Sequence, residues 1–101
     1  MARLLITRRV NPTGTEKRGV VSLPADRGAI AKYLSAYNAG TSAVVLQIFE
    51  DDRPVDEIPL SAGEHKYISG DALYSFKEGS SVSAALSTTG DVRVTITLEI
   101  E

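Results

Sequence analysis

Turn-forming residues recur so often along this chain that most of what lies between them is only strand-length. Gly or Pro combines with Asn, Asp, Ser or Thr at NPTG (11–14), LPADRG (23–28), YNAGT (37–41), DDRP (51–54), SAGE (61–64), SGD (69–71), KEGS (77–80) and TTGD (88–91). Gly reaches φ values closed to other residues, Pro pre-bends the backbone, and Asn, Asp and Ser satisfy it locally. The intervening pieces run to about six to ten residues, as strands do, so an all-β fold is expected.

The side-chain pattern agrees. In DVRVTITLEIE, Val92, Val94, Ile96, Leu98 and Ile100 share one face, while Arg93, Thr95, Thr97, Glu99 and Glu101 share the other, as a half-buried strand requires. In SAVVLQIFE both faces are largely apolar, Val44, Leu46 and Ile48 against Val45, Gln47 and Phe49, which predicts a central strand. Weaker strand patterns are RLLITRR, KRGVVSL, DEIPL, HKYIS, ALYSFK and SSVSAALST, with Pro59 marking an edge or a strand end because proline donates nothing to a ladder. DRGAIAKYLSAYNAG reads two ways. It fits a helix capped at Asp26, with Ile30, Tyr33, Leu34 and Tyr37 on one side and Gly40 ending it, or a strand over 31–37 that turns at 38–41; the strand is preferred.

Composition narrows the functional classes. With 101 residues, 43% apolar and 24% charged, the chain has the balance of one soluble globular domain. No stretch approaches the roughly 20 apolar residues of a bilayer span, and MARLLITRRV alternates charged and apolar residues where a signal peptide has an apolar core, so neither membrane nor export is expected. Without cysteine there can be no disulfide, thiolate metal site or cysteine nucleophile.

Charge is distributed unevenly. Residues 1–34 sum to +5 and residues 35–101 to −7. Clustered Arg and Lys can bind phosphates, yet no aromatic residue precedes Tyr33 and no nucleic-acid motif is present, so nucleic acid is not expected as a partner. A basic segment lying against acidic protein, its own chain or a neighbour's, is the preferred reading. Residues 1–23 are read as an extended arm with strand-forming pieces, and residues 24–101 as the body. The fold class expected is a small antiparallel β-sandwich or jelly-roll-like domain with an extended basic N-terminal arm.

Catalytic signatures are missing. His65 is the sole histidine, in AGEHKYI, and reads as a surface residue at a strand start. Glu50, Asp51, Asp52, Asp56 and Glu57 lack the spacing of a calcium loop and have Arg53 among them, so they read as a solvated turn or an interface patch. NPTGTEKRG lacks the order of a phosphate loop. Tyr33, Tyr37, Tyr67 and Tyr74, with Phe49 and Phe76, are read mainly as core or interface residues, with a carbohydrate-stacking platform as the other reading. No enzyme, cofactor or metal is expected.

The run YLSAYNAGTSAVVLQIFEDDRPVDEIPLSAGEHKYISGD, followed by FKEGSSVSAALSTTGDVRVTITLEIE, resembles a small β-sandwich domain of tailed-bacteriophage virion proteins. The resemblance rests on Asn38 and Gly40, on the strand from Val44 to Asp52, on IPLSAG at 58–63 and on Gly79 to Thr88; it leaves the N-terminal third unmatched. It implies a virion structural protein, made in the host cytoplasm and placed on the capsid surface as a decoration or cement protein. It also implies a homo-oligomer, preferentially a trimer, with the major capsid protein as partner; a connector or tail component is the neighbouring option. The alternative class is a β-sandwich that binds glycan or a cell-surface polymer. The expected interface residues are Arg3, Leu5, Arg8, Arg9 and Arg18 from the basic segment, and Glu50, Asp51, Asp52, Asp56 and Glu57 from the acidic turn.

Overall fold

The computed structural model describes residues 4–101, so Arg3 lies outside the described residues. Eight strands follow one another: β1 (Leu4–Val10), β2 (Arg18–Ser22), β3 (Ala29–Asn38), β4 (Val44–Glu50), β5 (Arg53–Leu60), β6 (His65–Phe76), β7 (Ser81–Leu86) and β8 (Val92–Ile100). They form two four-stranded antiparallel sheets, ordered β1-β8-β3-β6 (sheet A) and β2-β7-β4-β5 (sheet B). Apart from the β4–β5 hairpin, successive strands alternate between the sheets, which is the winding of an eight-stranded jelly roll.

The core lies between the sheets. Sheet A contributes Ala29, Ala31, Leu34, Ala36, Val94, Ile96 and Leu98, and sheet B contributes Leu46, Ile48, Leu60, Val82, Ala84 and Leu86, all buried. Alanines on β3 leave room for the bulkier side chains opposite, so the two layers interdigitate at interior density. β8 has the predicted one-sided burial, and β4 is flanked by β7 and β5 as a two-sided apolar strand should be. Pro59 does lie on an edge strand, β5, along with Pro54.

The ambiguous segment is a strand, and a bulge explains its helical appearance. The register of β3 shifts between Ala31 and Tyr33 against both neighbours, so one extra residue reverses the alternation. Ile30 faces outward before the bulge, Tyr33 and Tyr37 after it, and their spacing imitates one side of a helix. Across from the bulge, β6 jumps from Ser69 to Tyr74, and residues 70–73 leave the ladder. The SGD signal therefore marks an excursion within one strand, joining the two strands HKYIS and ALYSFK that the sequence suggested.

Residues 4–23 lie along the body. β1 pairs with β8 from Leu4 to Val10, and β2 pairs with β7, so this segment supplies one edge of each sheet. Val20 and Leu23 belong to the core. Between the strands Pro12 is buried, and the carbonyls of Pro12, Thr13 and Gly14 accept the amides of Val92, Gly90 and Leu86.

Asn38 ends β3 as a fully buried polar residue. Its Nδ2 donates to the carbonyls of Ser42, Leu60 and Ser61 at 2.9, 3.2 and 3.1 Å, and its Oδ1 accepts the Gly40 amide at 3.0 Å. Its backbone N–H donates to Glu64 O and its carbonyl accepts Gly63 N–H, both at 2.9 Å. One side chain thus ties the β3–β4 connection to the β5–β6 connection, where Gly63 supplies a φ of +74°. We predict that Asn38→Ala destabilises the domain by about 2–3 kcal/mol in urea denaturation, because buried carbonyls lose their donor. Asn38→Asp should cost more near neutral pH, where a carboxylate would face those carbonyls, and recover part of the loss in acid.

Candidate functional site

The acidic turn is the first candidate, and most of its charge is engaged within the chain. Glu50 and Arg53 close the β4–β5 hairpin as a register pair, with Asp51 and Asp52 as its loop and Asp51 at φ +54°. Glu50 is 4% exposed: its Oε2 accepts the Lys77 amide at 2.8 Å and its Oε1 accepts the Arg53 guanidinium at 2.6 Å. The Lys77 amide, helped by Arg53 and opposed by burial, holds this carboxyl below its usual range. Asp51 pairs with the start of β7, its N–H donating to Ser81 O and its Oδ1 accepting Ser81 N–H.

Asp56 joins the two sheets at the β5–β6 edge. Its Oδ2 accepts the Tyr74 hydroxyl at 2.5 Å and its Oδ1 accepts the Glu57 amide. Burial, then the neighbouring Asp56 carboxylate, raises the Tyr74 phenol far above its ordinary range. Only Asp52 and Glu57, of the five expected acids, extend freely from the surface, and Asp52 meets Lys17 Nζ at 3.0 Å. The same ammonium lies 4.5 Å from the centroid of Phe49, so the basic segment does touch the acidic turn of its own chain.

The expected basic residues do not converge on one spot. Leu5 and Arg9 point to the outer face of sheet A, opposite Glu99 and Thr95, whereas Arg8 points to the other side of β1, opposite Ile96. Arg18 begins β2 and reaches Thr13. Leu4 and Leu5 are 58% and 63% exposed, which leaves the β1 edge both apolar and basic.

A second cluster lies on the outer face of sheet A. Tyr37 and His65 are register partners on β3 and β6, with ring centroids 5.5 Å apart. His65 stacks on Tyr67 at 4.3 Å. Its Nε2 lies 3.0 Å from Ser35 Oγ and its Nδ1 3.2 Å from Tyr67 Oη. A Ser–His contact therefore exists, but the second ring nitrogen meets a phenol rather than the carboxylate that would orient a catalytic base. Tyr33 lies further along β3 on the same face. Tyr74 does not join this cluster, and Phe76 is in the core. Sequence alternation puts Tyr33 and Tyr37 on one face of β3, but that Tyr37 and Ser35 meet His65 and Tyr67 could have been found only from the pairing of β3 with β6.

Among the described residues no group of three or more His, Asp or Glu side chains could hold a metal ion, and no helix is long and apolar enough to cross a membrane. No protein-family model matches the sequence, and no curated protein resembles it significantly. Solved structures do share its fold. A chain of the Bacillus endospore appendages, disulfide-linked pili, superimposes with a TM-score of 0.56 at 12% identity, over 96% of this chain and 86% of that one. A chain from the cyanophage Pam1 capsid asymmetric unit gives 0.54 at 19% identity, over 96% and 84%. The crystal structure of PirA gives 0.54 at 11% identity, over 89% and 90%. At these identities the likeness is one of fold.

Glu50 provides a test of the acidic turn. Its carboxyl is lowered in the folded state, so its contribution is present above the unfolded carboxylate range, about 4.3, and is lost as pH falls through the folded value. Glu50→Gln should cost about 1–2 kcal/mol in urea denaturation at neutral pH, with the difference from the parent protein narrowing below about pH 4.

Proposed function

We propose that this chain is a non-enzymatic virion structural protein, a decoration or cement protein on the capsid surface that bridges major capsid subunits, as a homotrimer. The jelly-roll strand order carries the reading, because the fold is shared with a cyanophage capsid chain over 96% of this chain and 84% of that one. Fold alone does not assign function, so the surface chemistry has to fit as well. Here the ionisable groups of the acidic turn serve the hairpin and the sheet-to-sheet contact, and the groups left outward are scattered charges and apolar edge residues suited to protein contact.

The pilus fold is the competing assembly. Those pili are disulfide-linked, and this chain contains no cysteine, so linkage of that kind is closed to it. Assembly of this chain would not use disulfides. The interface would use Leu5, Arg8, Arg9 and Arg18 at the β1–β2 edge together with Asp52 and Glu57 at the hairpin. β1 offers an unpaired ladder edge without the prolines that protect β5. The binding free energy of each copy would oppose separation of the shell subunits it bridges.

The decisive experiment is quantitative mass spectrometry of purified particles from a lysate encoding the chain, with antibody labelling by electron microscopy. A copy number comparable to that of the shell protein, with label over the heads, is expected. A handful of copies at one vertex or on the tail would indicate the connector or tail alternative, and absence from particles would end the virion reading. For the interface, Arg8→Glu with Arg9→Glu should weaken head binding about tenfold at low salt while leaving the fold intact. Light scattering should find a trimer for the full chain and a smaller species for Leu5→Glu, which alters an exposed position of the β1 edge. Deleting through residue 23 would remove β2 and core residues, and so would confound assembly with folding.

A further inference from the structure

We propose that the outer face of sheet A binds an acidic saccharide, with its sugar rings against Tyr37, His65 and Tyr67 and its carboxylate against Arg9 and Arg93. The strand registers place these residues in two adjacent rows across the sheet. One row runs Arg9, Thr95, Ser35, Tyr67 through β1, β8, β3 and β6; the next runs Arg93, Tyr37, His65 through β8, β3 and β6. A third row, Thr7, Thr97, Tyr33, Ser69, adds hydroxyls, and Thr7 and Thr97 are already in contact at 3.1 Å. Four strands spaced ~4.8 Å apart give a track of roughly 14 Å, the span of a short oligosaccharide.

Each part suits that ligand. Tyr67 is 66% exposed, and stacking on His65 fixes its orientation, so little ordering is needed when a sugar ring settles on its free side. Serine and threonine hydroxyls both donate and accept, as sugar hydroxyls require. At the other end of the rows, Arg9 and Arg93 line a shallow cleft of about 280 Å³ with Val10, Asn11, Val94 and Thr95. Neither arginine forms an ion pair among the described residues. The nearby carboxylates are occupied, Asp91 by Asn11 and Glu64 by the Ser61 amide and Lys66. A sugar with a carboxylate matches both ends of the track. Single-stranded nucleic acid fits less well, since two arginines neutralise few phosphates.

The proposal rests on the outer face of sheet A and not on the virion reading, and shares Arg9 with the proposed assembly edge. It is tested by calorimetric and NMR titration of the full chain with hexasaccharides of galacturonate, hyaluronan and heparin, neutral maltohexaose, and a hexathymidylate. Saturable binding of at least one acidic hexasaccharide is expected, weaker for maltohexaose, weakened by salt, and reduced about tenfold or more by Tyr67→Ala and by Arg9→Gln with Arg93→Gln. Both variants alter exposed positions, and unchanged melting would show that the fold is retained. No saturable binding of any acidic hexasaccharide to about 10 mM, or binding indifferent to both variants, would overturn the proposal. Tighter binding of the hexathymidylate than of every sugar would reassign the face to nucleic acid and overturn it equally.

Discussion

A jelly roll changes sheet at nearly every connection, so its end loops must satisfy backbone groups that no ladder reaches. At one end of this molecule Asn38 does that work. With no exposed surface of its own, it donates to the carbonyls of Ser42, Leu60 and Ser61 and accepts the amide of Gly40, holding β3–β4 against β5–β6. An amide suits the position because it carries both donors and an acceptor, which neither a carboxylate nor an aliphatic side chain provides. The alternation of strands between the sheets, and therefore which residues reach each outer face, depends on these connections holding their geometry.

At the other end the hairpin acids play a comparable part. A carboxylate taken from water must recover its hydration through hydrogen bonds, and Glu50 recovers it from the Lys77 amide and Arg53. Half-buried Asp56 does so with Tyr74, and the exposed Asp51 fixes the loop by accepting the Ser81 amide. An acidic run that suggests a docking patch in one dimension is largely the internal fastening of a turn in three. This leaves Asp52, Glu57 and the basic β1–β2 edge as outward charges, with Arg9 of β1 shared with the outer face of sheet A. Assembly through the β1 edge and ligand capture on that face therefore meet at Arg9, while His65 and Tyr67 lie on β6 at the opposite edge of the sheet.

Several features were legible because they are local. The alternation from Val92 to Ile100 buries one face wherever the strand is placed, and Gly or Pro punctuation limits strand length whatever the topology. The central position of β4 followed from apolar residues on both faces, and the edge position of β5 from Pro59. Asn38 and Gly40 were recognisable as a turn, although the burial of Asn38 and its reach to Leu60 and Ser61 were not, since these partners lie more than twenty residues away.

The sequence by itself determined an all-β chain, its strand-forming segments, the absence of cysteine chemistry and the uneven distribution of charge. Tertiary structure decided that β1, β2 and β6 became edges beside β5, that residues 4–23 lie along both sheets, and that Glu50 and Asp56 are bonded internally. It also brought Arg9, Arg93, Tyr37, His65 and Tyr67 to one face. The reason is that strand pairing joins residues far apart in the chain, and one bulge at Lys32 reverses the facing of every residue beyond it; neither the partner nor the parity of a side chain is encoded in its immediate neighbours.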